Sequence, residues 1–455
     1  MYLNSAHRKI VVILYSSFFI VCVASFWVLD MSSVRYDLVI YGATGYTGQY
    51  IVKRLITSKY NGYTFAVAGR NEEKLKKVLS EISASEGKDI TDTPIIIAKS
   101  GDVASINRMT SQAKVVINAV GPYRLYGEEV VKSAVENGAS HVDISGEPAF
   151  LETMVQKYGK AAAEKGVYIV GACGWDSVPC DLGINFLRRN YDGDIAYTES
   201  FVQNHSGPAG YSINDGTYQT LILAIANMKS DKLGKIRKEI MPETVPRSQY
   251  KSPKRGIMFH NEYLDMWALP FMGSDKSVVV RSQYHCFTKK HQRPIQLSTY
   301  FGVKSLFLAI VYSIYFAIFG LLCQFSVTRK FLQDNTDLVT FGAFSKKGPT
   351  KEQVEGASFT YWFISKGWNE KKKLEDGDHT SPPTKTIISR CDGPDAGYIG
   401  TSGCVLSSAI TILEDSSNLP KEGGVYTPGS AFGDSDKIYS ILEDFGIKFK
   451  IEKVE

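Results

Sequence analysis

A Rossmann-type doubly wound parallel α/β sheet, followed by a second α+β domain, is the fold class predicted by three observations. Short apolar runs alternate with amphipathic helical patterns from Tyr36 to Gly171, the βαβ signature of a parallel sheet. The first run, Leu38 to Tyr41, leads at once into Gly42, Gly45 and Gly48, spaced G-x-x-G-x-x-G. Tyr50, Ile51, Val52 and Leu55 then open a helix, so the glycines stand in the strand-turn-helix setting that gives such a motif meaning.

Within that turn the first glycine permits the tight bend, the second lets backbone approach a pyrophosphate, and the third lets helix pack close to strand. The candidate cradle is therefore Gly42, Ala43, Thr44, Gly45, Tyr46, Thr47 and Gly48, with the free N–H groups of the helix facing phosphate. The second strand, Phe65 to Ala68, ends in Gly69-Arg70. An acid at this point would hold a ribose 2′-OH, whereas an Arg pairs with a 2′-phosphate. NADP is favoured over NAD, the alternative being that Arg70 is a solvated strand end.

Asn71 to Ser83 follows as a charged helix with Leu75, Val78, Leu79 and Ile82 on one face. The strand Pro94 to Ala98 ends near Asp102, which either accepts from an adenine amine or caps the helix Val103 to Gln112. Val115 to Val120 runs into Gly121-Pro122-Tyr123, at the strand end where doubly wound sheets bind ligands. Those three residues are placed beside the dinucleotide. The helix Glu128 to Asn137, the strand His141 to Ile144, the helix Phe150 to Lys165 and the strand Val167 to Gly171 complete the pattern, and CGWDSVPCDLG follows from Cys173 to Gly183.

Beyond Gly183 the pattern changes. Ala196 to Asn204, Val278 to Phe287 and Gln296 to Val303 alternate apolar with polar residues, as antiparallel strands covered on one face do. Lys366 to Lys385 reads as an exposed polar loop, Thr401 to Glu414 as a helix, and Gly423 to Gly433 as turns before a closing helix and strand. The expected divisions are 1–30, an apolar segment; 31–183, the nucleotide domain; 184–400, the second domain; and 401–455, a segment packing back on the core.

The chain has 455 residues and a net charge of +5 without a long basic run, which excludes nucleic acid as the natural partner. Basic residues outnumber acids from Lys229 to Arg255, a stretch that either faces anionic lipid or is a solvated excursion. The seven cysteines form no C-x-x-C and the seven histidines no H-x-x-x-H spacing, so no catalytic metal is expected and the thiols read as reduced.

Ile10 to Leu29 is uncharged behind His7-Arg8-Lys9, long enough to span a bilayer. Either it is an anchor, or Met31 is a usable start and residues 1–30 are an extension. Leu306 to Cys323 is also uncharged, flanked by Lys304, Arg329 and Lys330. It reads as a membrane-type helix, spanning or interfacial, or as one buried at a domain or homodimer interface.

The strings YGATGYTGQ, AGRNEEKL, VINAVGPYRLYGEEVV, HVDISGEPAFL, GWDSVPCDLG, NHSGPAGYSINDGTYQ, LPFMGSD, SKKGPT and GGVYTPGSAFG resemble, in order, the saccharopine dehydrogenase-like oxidoreductase family. The resemblance runs from Tyr36 to the end and is to the eukaryotic branch found on lipid droplets and membranes, related to bacterial trans-acting enoyl reductases. It implies a Rossmann domain with an α+β domain behind it, oxidoreductase activity with NADP or NAD, and a location facing the cytosol on a lipid droplet or the endoplasmic reticulum, mitochondria being the alternative.

A substrate such as saccharopine needs several cations for its carboxylates. Arg124, Arg281 and Lys346 are candidates, but no basic cluster marks a strand end. Tyr-x-x-x-Lys pairs occur at Tyr250/Lys254 and Tyr300/Lys304, neither on a helix of the nucleotide domain. Reduction of a lipid-like enoyl or carbonyl group needs a proton donor near the nicotinamide, for which Tyr123, Asp176, His205 and Asp215 are the candidates. The competing expectation is a nucleotide-binding scaffold or redox sensor without turnover.

Overall fold

The nucleotide sheet takes its first six strands from β1 (Tyr36–Tyr41), β2 (Phe65–Gly69), β3 (Ile95–Ile97), β4 (Ala113–Asn118), β5 (Ser140–Asp143) and β6 (Tyr168–Val170) in the computed structural model, which describes residues 35–455. The chain continues through β7 (Asp194–His205), β8 (Ile213–Asn214), β9 (Phe259–Asn261), β10 (Met266–Pro270), β11 (Gln296–Val303), β12 (Phe344–Ser345), β13 (Ser358–Trp368), β14 (Lys385–Pro394), β15 (Gly424–Tyr426) and β16 (Lys448–Val454). The first sheet has the order β15-β6-β5-β4-β1-β2-β3, parallel throughout. The strand order reverses between β1 and β4, the crevice where such sheets bind ligands. Residues 1–30, including the apolar run Ile10 to Leu29, lie outside the described residues.

Both faces of this sheet are covered, so β1, β2, β3 and β6 are largely apolar, while β5 buries His141 and Asp143. In β1, Leu38 and Ile40 enter one core and Val39 and Tyr41 the other. Helices Tyr46–Thr57, Glu72–Glu86 and Thr401–Glu414 close the first core, and helices Val103–Ser111, Tyr123–Glu136 and Pro148–Lys165 the second. Residues Ala396–Glu414 are long and apolar enough to cross a membrane, yet 83% of that stretch is buried inside the protein. It is a core helix.

The second sheet runs β16-β14-β13-β7-β11-β10-β9. Its neighbours are antiparallel except β7 and β11, which run parallel, so the sheet is mixed rather than antiparallel. Ala196 to Asn204 lies in β7, and Gln296 to Val303 is β11. Val278 to Phe287, expected as a strand, is part of the helix Asp275–Lys290. Val278, Val279, Ser282, Gln283 and Cys286 are buried at helical spacing, and the polar members of that set made the sequence look alternating. Lys366 to Lys385 is also not wholly an exposed loop. It begins inside β13, and His379 is buried, stacked on Trp368 at 3.9 Å and bonded to Asp194 at 2.8 Å.

The last fifty residues tie the two sheets together. β15 adds a parallel edge strand to the nucleotide sheet, while β16 pairs with β14 in the second. At their junction the buried Asp181 carboxylate, on helix Val178–Asn190, accepts the Ser282 hydroxyl and the Gly429 N–H, both at 2.7 Å. Replacing Asp181 with Ala leaves the Gly429 N–H buried without a partner, while the Ser282 hydroxyl keeps Val278 O and Thr427 Oγ1, at a cost of roughly 1–3 kcal/mol. Denaturant unfolding is the check, and a loss below about 0.5 kcal/mol contradicts this role.

Candidate functional site

At the reversal point the chain bends through a turn only small residues can make. Gly42 has φ +91°, and a Cβ there would lie 2.8 Å from Val120 Cγ2. A Cβ on Gly48 would lie 2.2 Å from the Gly42 carbonyl oxygen, so the first turn of helix Tyr46–Thr57 rests directly on the bend. Gly42 N–H donates to Ala68 O at 2.9 Å and Ala119 N–H to Tyr41 O at 2.9 Å, which fixes the loop between β2 and β4.

The N-terminus of helix Tyr46–Thr57 has no side-chain cap and no acid in its first turn. Its leading N–H groups therefore lack helical partners, and the Thr44 and Thr47 hydroxyls make no hydrogen bond among the described residues. These groups have the chemistry of an anion cradle. Gly45 is its exposed lip and Ala43 its buried floor. Arg70 stands at the carboxyl end of β2, exposed and without an ion pair or hydrogen bond among the described residues. The residues present fit NADP: amides and hydroxyls for the pyrophosphate, and a free guanidinium one strand away for a 2′-phosphate.

Asp102 acts as a helix cap, its carboxylate accepting from Ser105 N–H at 3.2 Å. Gly121 and Pro122 follow β4 as placed, Pro122 at the N-cap of helix Tyr123–Glu136. Tyr123 corrects the expectation of a catalytic phenol. Its hydroxyl is buried, donates to Asn118 O at 2.8 Å and accepts from Ile144 N–H at 3.3 Å, and burial holds its pKa well above the ordinary value. It links the ends of β4 and β5.

Asp215 is likewise committed to structure, its carboxylate accepting from Thr336 at 2.5 Å and from Gln219 at 3.0 Å. His205 ends β7 with Nε2 3.4 Å from Thr360 Oγ1, and burial lowers its pKa. Neither shares a hydrogen-bond partner with Asp176. Of the three cations weighed for carboxylate recognition, two are engaged: Arg124 pairs with Asp231 at 2.9 Å and Glu147 at 3.5 Å, and Lys346 donates to Asp334 O at 3.3 Å, whereas Arg281 is buried with its Nε and one Nη unpartnered among the described residues.

Asp176 differs from the other candidates. It lies in the loop after β6, with Oδ2 accepting from Ser274 Oγ at 3.2 Å and Oδ1 shielded from solvent without a partner. Gly146, beyond β5, and Gly273 border it closely: Cβ atoms there would sit 2.7 Å from Oδ2 and 2.2 Å from Oδ1. Burial pushes its pKa up to about 6. Asp275 lies next to Ser274, accepts from Tyr361 at 3.2 Å, and is raised further by burial and by the Asp176 charge.

Sequence reasoning passed over Asp143 and His141, at the end of β5, although HVDISG places a charged residue just after an apolar strand. Asp143 accepts from Ser145 and Ala172 N–H at 2.9 and 3.1 Å, and burial lifts its pKa to about 7. His141, 3.8 Å from it, is pushed down to about 3 by burial and stays neutral.

Comparison with known proteins accords with this geometry. The sequence profile described as "Saccharopine dehydrogenase NADP binding domain" matches residues 38–170. A Caenorhabditis elegans protein named "Lipid droplet localized protein" is 51% identical over 421 residues, 92% of this chain and 98% of that one. The Homo sapiens "Saccharopine dehydrogenase-like oxidoreductase" is 38% identical over 426 residues, 91% of this chain and 97% of that one. Among solved structures, apo saccharopine dehydrogenase (L-Glu forming) from Saccharomyces cerevisiae superposes with a TM-score of 0.51 at 13% identity, covering 91% of this chain and 99% of that one, a likeness of fold.

Two outcomes follow from the site. Replacing Arg70 with Ala should weaken NADPH binding by roughly tenfold or more while leaving NADH unchanged, measured by calorimetry; equal loss for both contradicts the 2′-phosphate role. For Asp143, the folded pKa of about 7 exceeds the model-peptide 3.8, so the folded state holds a proton that the unfolded state releases. Its contribution to stability is full below the unfolded value and is lost as pH rises toward 7. Asp143→Asn should therefore flatten the fall in Tm between pH 4 and 7, and a slope equal to wild type contradicts the assignment.

Proposed function

The chain belongs to the saccharopine dehydrogenase-like oxidoreductase family, and from that premise we propose that it is an NADP-dependent reductase of a lipid-like enoyl or carbonyl compound, working at a membrane or lipid-droplet surface. The observation that carries the lipid half of this reading is the helix Leu306–Leu322. Phe319 and the adjoining Cys323 pack on Tyr218 and Ile222, while Phe307 is 73%, Ile314 56% and Leu321 60% exposed. An apolar face of this extent on a water-soluble surface marks an interaction site, and the helix is partly seated on protein, as an interfacial element is. The lipid-droplet name of the worm relative and the likeness to a trans-acting enoyl reductase support the same reading.

With Arg124 and Lys346 engaged, Arg281 is left as a single unpaired cation of the three, too few to grip a substrate with several carboxylates. When bound, the nicotinamide supplies the hydride. The cradle of Gly42 to Gly48 would hold the phosphates, Arg70 would select the phosphorylated ribose, and the Asp176 carboxyl is the proposed source of the proton for the reduced substrate. The Ser274 N–H and hydroxyl orient that carboxyl, and Gly146 and Gly273 pack close against it.

NADPH oxidation by purified protein should appear with α,β-unsaturated or keto lipids presented in vesicles, and a preference for water-soluble amino-acid adducts contradicts the reading. Asp176→Asn should lower kcat about a hundredfold with NADPH affinity within about twofold. Glu at both Ile314 and Phe316 should abolish flotation with vesicles while nucleotide binding is retained; unchanged flotation removes the surface role of the helix.

A further inference from the structure

The cradle carries no charge of its own: neither Tyr41–Gln49 nor Asn118–Tyr123 contains a Lys or Arg. Arg124, the next cation along, is held by two carboxylates. A dinucleotide pyrophosphate carries two negative charges, and amide donors alone satisfy geometry better than charge. The missing cation is to be sought on whatever else borders the turn.

That border comes from the second domain. The Tyr46 hydroxyl donates to Pro349 O, and the Tyr46 ring fills the place where a side chain on Gly348 would be, 2.8 Å from its Cβ position. Gly348 has φ +70°, so two constraints exclude a side chain there. Tyr46 also meets Tyr398 edge-on at 4.6 Å, and the Tyr398 hydroxyl accepts from Asn214 N–H at 2.7 Å.

The segment Ser345 to Pro349 is fixed at both ends. Phe344 and Ser345 pair with Ile213 and Asn214, and Thr350 forms a capping box with Gln353. Between these anchors the two lysines part company. Lys346 is tethered to Asp334 O at 3.3 Å, whereas Lys347 is exposed and its ammonium has no partner among the described residues.

We infer that Ser345 to Pro349 is a roof brought over the phosphate cradle by the second domain, and that Lys347 supplies the cation that pairs with the cofactor's pyrophosphate. This rests on the cofactor reading above and adds a residue that the glycine motif does not contain. The pyrophosphate is common to both nicotinamide dinucleotides, so Lys347 acts on affinity for each alike, unlike Arg70.

The test is calorimetric titration of the full chain with NADPH and, separately, with NADH. Lys347→Ala should weaken both by a similar factor, roughly tenfold, and flatten the decline of affinity with added salt, while Lys346→Ala binds as wild type. Wild-type affinity in Lys347→Ala overturns the roof assignment and leaves the cofactor reading intact. Loss confined to NADPH also overturns it, by moving the charge to the ribose phosphate. A wild-type chain that binds neither nucleotide overturns both.

Discussion

The structure depends on one close approach, that of helix Tyr46–Thr57 to the bend at Gly42. With only 2.2 Å between the Gly42 carbonyl oxygen and the Cβ position of residue 48, any side chain there displaces the helix. Its N-terminus would then leave the crevice between β1 and β4. The uncapped amides, the free hydroxyls of Thr44 and Thr47 and the nearness of Arg70 all follow from that contact, because each is placed by the loop that β2 and β4 pin down. The proposed phosphate site is a matter of backbone position, and the two aromatic residues of the segment, Tyr46 and Tyr50, turn their rings to Tyr398 instead.

The nucleotide domain is not completed by its own stretch of chain. Helix Thr401–Glu414 is buried along nearly its whole length against strands and helices formed hundreds of residues earlier, and β15 extends the sheet beyond β6. The Asp181 carboxylate, with Ser282, Thr427 and Ser430, welds three segments at this junction. Such long-range closure couples the cofactor half to the second domain. Tyr46 and Tyr398 meet across the same boundary on the side of the glycine turn.

Much of this was legible in the sequence where local pattern and fold agree. Leu38 to Tyr41 followed by three spaced glycines can form little else, and the helix at Thr401 to Glu414 emerges with its expected bounds. Legibility ended where a residue's role depends on a distant partner. Tyr123 and Asp215 looked like catalytic groups because nothing nearby in the chain reveals the Ile144 N–H or the Thr336 hydroxyl that bonds to them. Asn214-Asp215 also reads as a helix start, and the helix Asp215–Asn227 begins there with Asn214 as its cap. Val278 to Phe287 misled for a related reason: a helix buried on several sides carries polar residues inward, and its period of 3.6 is masked. The second-domain loop at Gly348 stands out in the sequence only as the string SKKGPT, with nothing local to show that its glycine answers to Tyr46.

The most direct test of the central claim is hydrogen exchange of the backbone amides of the full chain with and without NADPH. Slowed exchange in the segment Gly42 to Gly48, with weaker protection around Gly69 to Asn71, is the result expected from a cradle that binds phosphate through its N–H groups. Exchange in that segment unaltered at saturating NADPH would contradict the account, whatever protection appears elsewhere.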